Sequence, residues 1–389
     1  MNKNIIVVGG DGFCGWPLSL RLSRKGYNVI ILDNFSRRKI DKELGANSIT
    51  KIKSLKVRIS KWNEISKNKI KFYKIDVVSE NIRLSRIIKK YKPKAVFMFA
   101  EYKSAPYSMM SNLHANKNLN SNIIGNNNLL YSIRKFSSKT HFIHLGTMGV
   151  YGYDYSKKII PEGYYKAKII NQFNESQITE ILHPAKPGSI YHLTKAMDEL
   201  LFQYYNTTYN LRITDLHQGI VWGCNTDETE LHPFLINRFD YDHIYGTFLN
   251  RMVSQSVINF PLTIHGTGEQ KRPFIYIKDA IKSYVKVLEN RNKIKKVDIF
   301  NDAGEVKKLI DIANLLSKKY NVKIVNIQNP RIEKEKNNLK IDPAKLRKLG
   351  VKFEKITLDG IEEVYQLAKK FKKRIKKKSV INTVYWKKY

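Results

Sequence analysis

The sequence predicts an α/β protein, a parallel sheet with helices on both faces followed by a smaller C-terminal α/β lobe, and three observations carry that reading. Short apolar runs alternate with helical stretches from Asn2 to about Ile220: Ile5 to Val8, Val29 to Leu32, Lys71 to Ile75, Ala95 to Phe99, His141 to Leu145 and Ile213 to Leu216. Alternation of this kind builds parallel strands joined by helical crossovers. The first run feeds directly into glycines spaced G-x-x-G-x-x-G (Gly9, Gly12, Gly15) and then into a helical pattern from Pro17 to Lys25. Polar residues follow the ends of the apolar runs, the place where such sheets bind ligands.

Taken in order, the glycines let the backbone turn tightly and approach a pyrophosphate, while the N–H groups of the helix start point at the anion. After Gly26 the run Asn28 to Leu32 reads as a second strand ending at Asp33. A carboxylate there accepts hydrogen bonds from a ribose diol and repels a 2′-phosphate, so this Rossmann-type start selects NAD over NADP. Arg37 and Arg38 follow closely and argue the other way, but Asp33 takes priority because its repulsion of a 2′-phosphate acts at short range. Asp76 ends the third strand, placed to hold an adenine amino group or to cap a helix. Ala100 to Pro106 follows the fourth strand and Gly146 to Gly149 the fifth.

From Tyr151 to Ser189 the pattern weakens and Gly163, Pro184 and Pro187 accumulate, which reads as an insertion loop near the active face. Residues 1–220 are therefore expected to form the NAD-binding domain, with 221–389 mainly the second lobe. Leu262 to His265, Phe274 to Ile277 and the helix Asp279 to Glu289 supply that lobe. Thr226 to Glu230 gathers carboxylates beside His232, but the spacing matches no metal-ligand set and reads as a solvated or substrate-facing loop.

At 389 residues the chain can bury a large core, and a hydrophobic fraction of 42% argues against disorder. Its longest apolar runs have strand length, far short of the roughly 20 residues a spanning helix needs. The first strand starts close to Met1 and leaves no room for a leader, so a soluble cytoplasmic protein without integral membrane contact is expected. Two cysteines, Cys14 and Cys224, make neither a disulfide framework nor a metal cluster. The net charge of +36 concentrates anions, and Lys369 to Lys378 forms one dense basic patch, read as part of a C-terminal helix. No nucleic-acid-binding motif accompanies it, so a solvated basic face is the preferred reading and no specific nucleic acid is expected.

Tyr191 and Lys195 stand at i and i+4 at the start of a helical run from Leu193 to Tyr205, which puts both side chains on one face. An ammonium beside a phenol favours the phenolate and lowers its pKa toward that of a general base. With the glycine loop and Thr147 after the fifth strand, the pair gains a chemical setting.

These motifs resemble the extended short-chain dehydrogenase/reductase family, of the nucleotide-sugar epimerase and dehydratase type. Ser104 to Met109, Leu145 to Gly149, Tyr191 to Lys195, Thr226 to Glu230, Leu249 to Arg251, Asn329 to Arg331 and Trp386 to Lys388 carry the likeness further, to the UDP-sulfoquinovose synthases. The resemblance implies a homodimer acting on UDP-glucose and sulfite. Carbon 4 is oxidised by NAD, water is eliminated across carbons 5 and 6, sulfite adds at carbon 6, and carbon 4 is reduced again. Catalytic roles are implied for Thr147, Tyr191, Lys195 and His192. Cofactor contacts are implied for Gly9, Asp11, Gly12, Phe13, Cys14, Gly15, Asp33, Asn34, Arg37, Asp76, Val77, Ala100, Lys195 and Gln218. Substrate contacts are implied for Lys103, Ser104, Thr147, Met148, Gln218, Thr247, Asn250, Arg251, Thr263, His265, Arg272, Arg331 and Glu333, and no metal is implied. An ordinary 4,6-dehydratase carries an Asp-Glu pair where Met148 and Gly149 stand. The chain also departs from the pattern at Tyr102-Lys103 (Gln-Arg), Val150 (Glu) and His217 (Asn). Two alternatives remain at this point, a UDP-sugar 4-epimerase or dehydratase that never uses sulfite, and a non-catalytic anion- or nucleic-acid-binding protein.

Overall fold

The computed structural model describes residues 3–153, 159–290, 296–331, 333–334 and 336–384. Seven parallel strands form its main sheet, in the order Asp298–Asp302, Arg212–Gln218, His141–Thr147, Ala95–Met98, Asn4–Val8, Asn28–Asp33 and Ile70–Lys74. Central strands covered on both faces need apolar side chains on both, and Ile5, Ile6, Val7 and Val8 are all buried. The chain runs outward from Asn4–Val8 through two strands and then crosses back to Ala95–Met98 on the other side. That reversal opens a crevice at the carboxyl ends of the strands, and the glycine turn lies at its floor.

One sheet strand comes from the second half of the chain: Asp298–Asp302 pairs with Arg212–Gln218 and closes the sheet edge. The second lobe adds a three-stranded sheet of Ile220–Trp222, Lys271–Tyr276 and Glu305–Lys308, and a parallel pair of Leu262–His265 and Ile324–Ile327. A single apolar cluster runs from Ile5 and Trp16 through Trp222, Leu249 and Phe274 to Ile361, so the two lobes share one core. The crevice between them is thus framed by packed walls.

Three expectations are corrected. The segment read as an insertion loop carries an antiparallel hairpin, Tyr164–Ile170 with Ser176–Leu182, turned by Asn171, whose side chain accepts from Phe173 N and Glu175 N. Its alternation was masked because Ile170, Phe173 and Ile178 are exposed, so no apolar face marks it. The basic patch is not one helix: the helix Leu358–Lys370 ends, and short turns at Lys372–Arg374 and Lys377–Val380 fold back on the first lobe. There Arg374 donates to the carbonyls of Ile49 at 2.8 Å and Ser48 at 3.1 Å. The terminal Trp386 to Lys388 lies outside the described residues.

The acidic segment is neither solvated throughout nor aimed at substrate. Glu228 is fully buried and pairs with Arg21 at 2.9 Å and Arg24 at 3.4 Å, both on the helix Gly15–Arg24 that follows the glycine turn. Asp227 reaches Arg21 at 2.9 Å. Removing one partner of such a pair strands a buried charge. Arg21→Met is expected to cost about 3 kcal/mol, the lower end for a broken buried pair because Arg24 remains, read as a lower urea midpoint at unchanged slope. Among the described residues, no helix is long and apolar enough to cross a membrane.

Candidate functional site

Where the first strand ends, Gly9 adopts φ +85°, and a Cβ there would stand 2.7 Å from the backbone N of Ala100. Gly15 lies so close that its Cβ would overlap the Gly9 carbonyl, which lets the helix Gly15–Arg24 start directly against the turn. No side chain caps that helix and no acidic residue occupies its first turn, leaving its positive end for an anion. Asp33 closes the second strand, accepting from Asp11 N at 2.9 Å and Phe35 N at 2.7 Å. Burial, reinforced by Asp11, raises its pKa to about 6, so it is ionised at neutral pH. Asn34 donates to Asp76 at 2.9 Å and ties the ends of the second and third strands together. Val77 is buried beneath that junction, and half-buried Ala100 follows the fourth strand. An uncapped helix start, a glycine cradle and an ionised carboxylate at the second strand's end fit a dinucleotide.

Two cofactor-side expectations change. The Asp11 carboxylate faces away from the cradle into ion pairs with Arg38 and with buried Arg58, which lies 4.0 Å over the Trp16 ring, so only its backbone belongs to the turn. Arg38 is spent on Asp11 and the Lys53 carbonyl, and Arg37 on Asp41 at 2.5 Å and Asp240 at 3.1 Å. Both guanidiniums are thus already paired with carboxylates, although Arg37 still lines the cavity with its Nε unpartnered.

The reaction face is assembled from the fifth strand and the helix Ile190–Tyr209. Thr147 ends the strand, and its side chain accepts from Gly149 N at 3.1 Å and hydrogen-bonds the Tyr191 phenol. Ser189 caps the helix by accepting from His192 N at 3.3 Å. Burial pushes the Tyr191 pKa above its ordinary value, with Thr147 opposing the shift. The expected lowering by Lys195 is not present: its ammonium turns to Glu101, to His144 Nε2 at 3.0 Å and to the Leu145 carbonyl at 2.7 Å. Burial lowers the Lys195 pKa to about 8, against the pull of Asp198 and Asp215.

The contribution of Lys195 to stability is expected to grow as pH rises past about 8. Its folded pKa lies below the ordinary 10.5, so between about 8 and 10.5 the unfolded chain binds more protons and this group's contribution to stability increases with pH. Urea melts over the same window check the sign.

His192 packs against Gly149, where a Cβ would overlap the imidazole. Its Nδ1 meets Ser189 Oγ at 3.0 Å and Tyr153 OH at 3.4 Å. Burial, with Arg331 and Arg272 nearby, lowers its pKa to about 3, so the ring is neutral at physiological pH.

These groups open on a cavity of about 350 Å³ whose lining includes Gly9, Gly12, Phe13, Cys14 and Gly15 as well as Arg251, His265, Arg272 and Arg331. Lys103, Ser104, Thr147, Met148, Gln218, Thr247 and Glu333 also line it. Tyr245 OH, Thr247 Oγ1, Arg251 Nε and His265 Nε2 are buried there without a hydrogen-bond partner in the protein. Unpaired polar groups at this depth are costly unless a ligand satisfies them. Some lining groups are already engaged: Ser104 donates to the Ile244 carbonyl at 2.6 Å, Gln218 binds Tyr284 and Asp302, and Arg272 is paired with Glu333.

Asn250 and Thr263 are not part of this wall. Asn250 clamps Gly223 through both its N and O, and Thr263 accepts from Gln255 at 2.8 Å. Asn250 is the neighbour of lining Arg251 in the sequence, and Thr263 stands two residues before lining His265. Sequence reasoning missed Glu101, Tyr153 and Tyr245, all lining the cavity. Glu101 stood within the motif after the fourth strand and carried a readable signal; Tyr153 lay in the weakly patterned segment. Tyr153 packs near Arg272 and Arg331, at 5.0 and 5.4 Å from its ring centre.

Residues 5–302 match the model of the NAD dependent epimerase/dehydratase family. The chain is 35% identical over 392 residues to the chloroplastic UDP-sulfoquinovose synthase of Spinacia oleracea, covering 99% of this chain and 80% of the relative. It is 34% identical over 354 residues to the UDP-sulfoquinovose synthase of Sulfolobus acidocaldarius, covering 89% and 87%. Among solved structures it is similar to a Bacillus cereus UDP-glucuronic acid 4-epimerase in complex with UDP-glucuronic acid and NAD. The TM-score is 0.68 at 22% identity, over 94% of this chain and 99% of that one, a likeness of fold.

Proposed function

Because the chain belongs to the NAD dependent epimerase/dehydratase family and, within it, to the UDP-sulfoquinovose synthases, we propose that it converts UDP-glucose and sulfite to UDP-sulfoquinovose. One observation favours this over a plain dehydratase or epimerase: Gly149, standing where a dehydratase glutamate is expected, makes room for a neutral His192 beside Tyr191. Bound NAD supplies the hydride acceptor at carbon 4 and returns the hydride at the end of the cycle.

Tyr191, steadied by Thr147, takes the carbon 4 hydroxyl proton as that carbon becomes a ketone. The ketone acidifies the carbon 5 proton, which neutral His192 accepts. His192 then protonates the departing carbon 6 hydroxyl, and water leaves. The sulfur lone pair of bisulfite forms the bond to carbon 6, its proton passes to carbon 5, and Tyr191 returns its own proton to the carbon 4 oxygen. The sum is UDP-glucose plus bisulfite giving UDP-sulfoquinovose and water. Arg251, Arg272 and Arg331 suit the diphosphate, since guanidinium forks bind phosphate oxygens two at a time.

Incubating the protein with UDP-glucose, with and without sulfite, and following products by mass tests this. A sulfonated sugar nucleotide only when sulfite is present is expected; UDP-galactose or a stable 4-keto sugar with no sulfonate overturns it.

Homodimerisation belongs to the same proposal. Leu193, Met197, Leu200 and Tyr204 form an exposed stripe on the helix Ile190–Tyr209, and Leu113 and Ile124 are exposed on the helical segment packed beside it. Leu200→Glu is expected to halve the mass seen by light scattering. Buried free thiols at Cys14 and Cys224 suit a reducing, cytoplasmic setting.

A further inference from the structure

A second cavity, of about 410 Å³, shares no lining residue with the reaction cavity. The helix Ser36–Glu43 contributes to both: Ser36, Arg37 and Ile40 line the reaction cavity, while Arg38, Asp41 and Lys42 on its opposite face line the second. Lys51 and Lys53 join from the chain that follows, and Arg374 from the turn Lys372–Arg374 folded back on the first lobe. Three stretches of chain thus bring five cations to one concave wall.

Asp41, the carboxylate at that wall, is already spent: it pairs with Arg37 at 2.5 Å and with Arg238 at 2.9 Å. Arg38 shares Asp11 with Arg58. The other four cations, Lys42, Lys51, Lys53 and Arg374, are paired with no carboxylate, among the described residues. Like charges gathered in one place repel, and an anion between them removes that cost.

Two of the cations are fixed in place. Arg374 donates through Nε to the Ile49 carbonyl at 2.8 Å and through Nη2 to the Ser48 carbonyl at 3.1 Å, contacts that hold the fork without cancelling its charge. Arg38 is held by Asp11 and by the Lys53 carbonyl, the latter at 2.8 Å. Each keeps Nη1 without a protein partner, among the described residues. A guanidinium held in this way loses little freedom when it takes an oxyanion.

We propose that this cavity is a second anion site, for a ligand carrying a diphosphate or a longer phosphate chain. A single phosphate supplies about two negative charges, too few for the four cations that lack a carboxylate, whereas two linked phosphates match them. The guanidinium forks take phosphate oxygens at the wall, and the lysines act on the rest of the chain as mobile point charges. The site does not depend on the UDP-sugar reading, because its lining is separate from the reaction cavity.

The test is calorimetric titration of the full-length chain with inorganic pyrophosphate and, separately, with ATP, at constant ionic strength and with excess NAD and UDP occupying the reaction cavity. One pyrophosphate per chain is expected. Lys42→Gln/Lys51→Gln, at two exposed positions, is expected to bind it about tenfold more weakly, the loss of two solvent-screened charge contacts, with fold and turnover unchanged. ATP binding that weakens equally in the variant extends the site to the phosphate chain of a nucleotide, and ATP that does not bind restricts it to free pyrophosphate. Failure of both probes to bind, or binding that the variant leaves unchanged, overturns the site. A single-stranded RNA oligomer that binds where both small probes fail overturns it in favour of an open basic face.

Discussion

Tyr191→Phe is expected to abolish turnover while leaving NAD bound. The phenol is buried, and its hydrogen bond runs to Thr147, so phenylalanine fills the same space and costs the fold little. What is lost is the group that takes and returns the carbon 4 proton. Such a base contributes about 10²–10⁴-fold, and here it acts at both ends of the cycle. Burial pushes the Tyr191 pKa up, and Lys195 points at Glu101 and the Leu145 carbonyl. The cradle around Gly9, Gly12 and Asp33 does not touch the phenol, so the cofactor content released on denaturation should match wild type. A variant that keeps more than a tenth of the wild-type kcat removes Tyr191 from the proton step.

The glycine turn, the sheet strands and the Tyr191–Lys195 pair were legible because each is local: a strand run, a turn without Cβ, two residues one helical turn apart. Asp33 was legible for the same reason, since a strand end places it. Side-chain destinations were not. Asp11 and Asp33 are both acidic and both near the turn, yet one carboxylate faces the cradle and the other pairs with Arg58, far along the chain. Asn250 and Arg251 are adjacent on one helix, and neighbours on a helix point about 100° apart; Arg251 meets the cavity and Asn250 clamps Gly223.

The buried ladder around His144 and Asp215 had no signature for a different reason. Its members come from the fourth-strand loop, the fifth and sixth strands, the hairpin and one helix, and only the sheet brings them together. Nor did the positive charge show where its cations go: Arg21, Arg38, Arg58 and Arg374 are structural ties to carboxylates or carbonyls. Charge counted along a chain does not say which cations are free.

Gly149→Ala is the sharpest test of the reading at carbons 5 and 6. A Cβ at this position overlaps the His192 ring, which Ser189 and Tyr153 hold from the other side. The imidazole has to rotate away, losing the Ser189 contact, or the turn Met148–Tyr151 has to shift and carry Thr147 with it. If His192 moves the carbon 5 proton, a displaced ring slows elimination without preventing oxidation at carbon 4. Overall turnover is expected to fall about 10²-fold, the lower end for loss of a positioned acid–base group. The bound cofactor should then accumulate in its reduced form when UDP-glucose is added, a signal read directly by absorbance. Loss of both turnover and cofactor reduction places the damage at Thr147 instead. Unchanged turnover shows that the space beside Gly149 serves no chemistry, and His192 is then a packed helix residue rather than the second proton carrier.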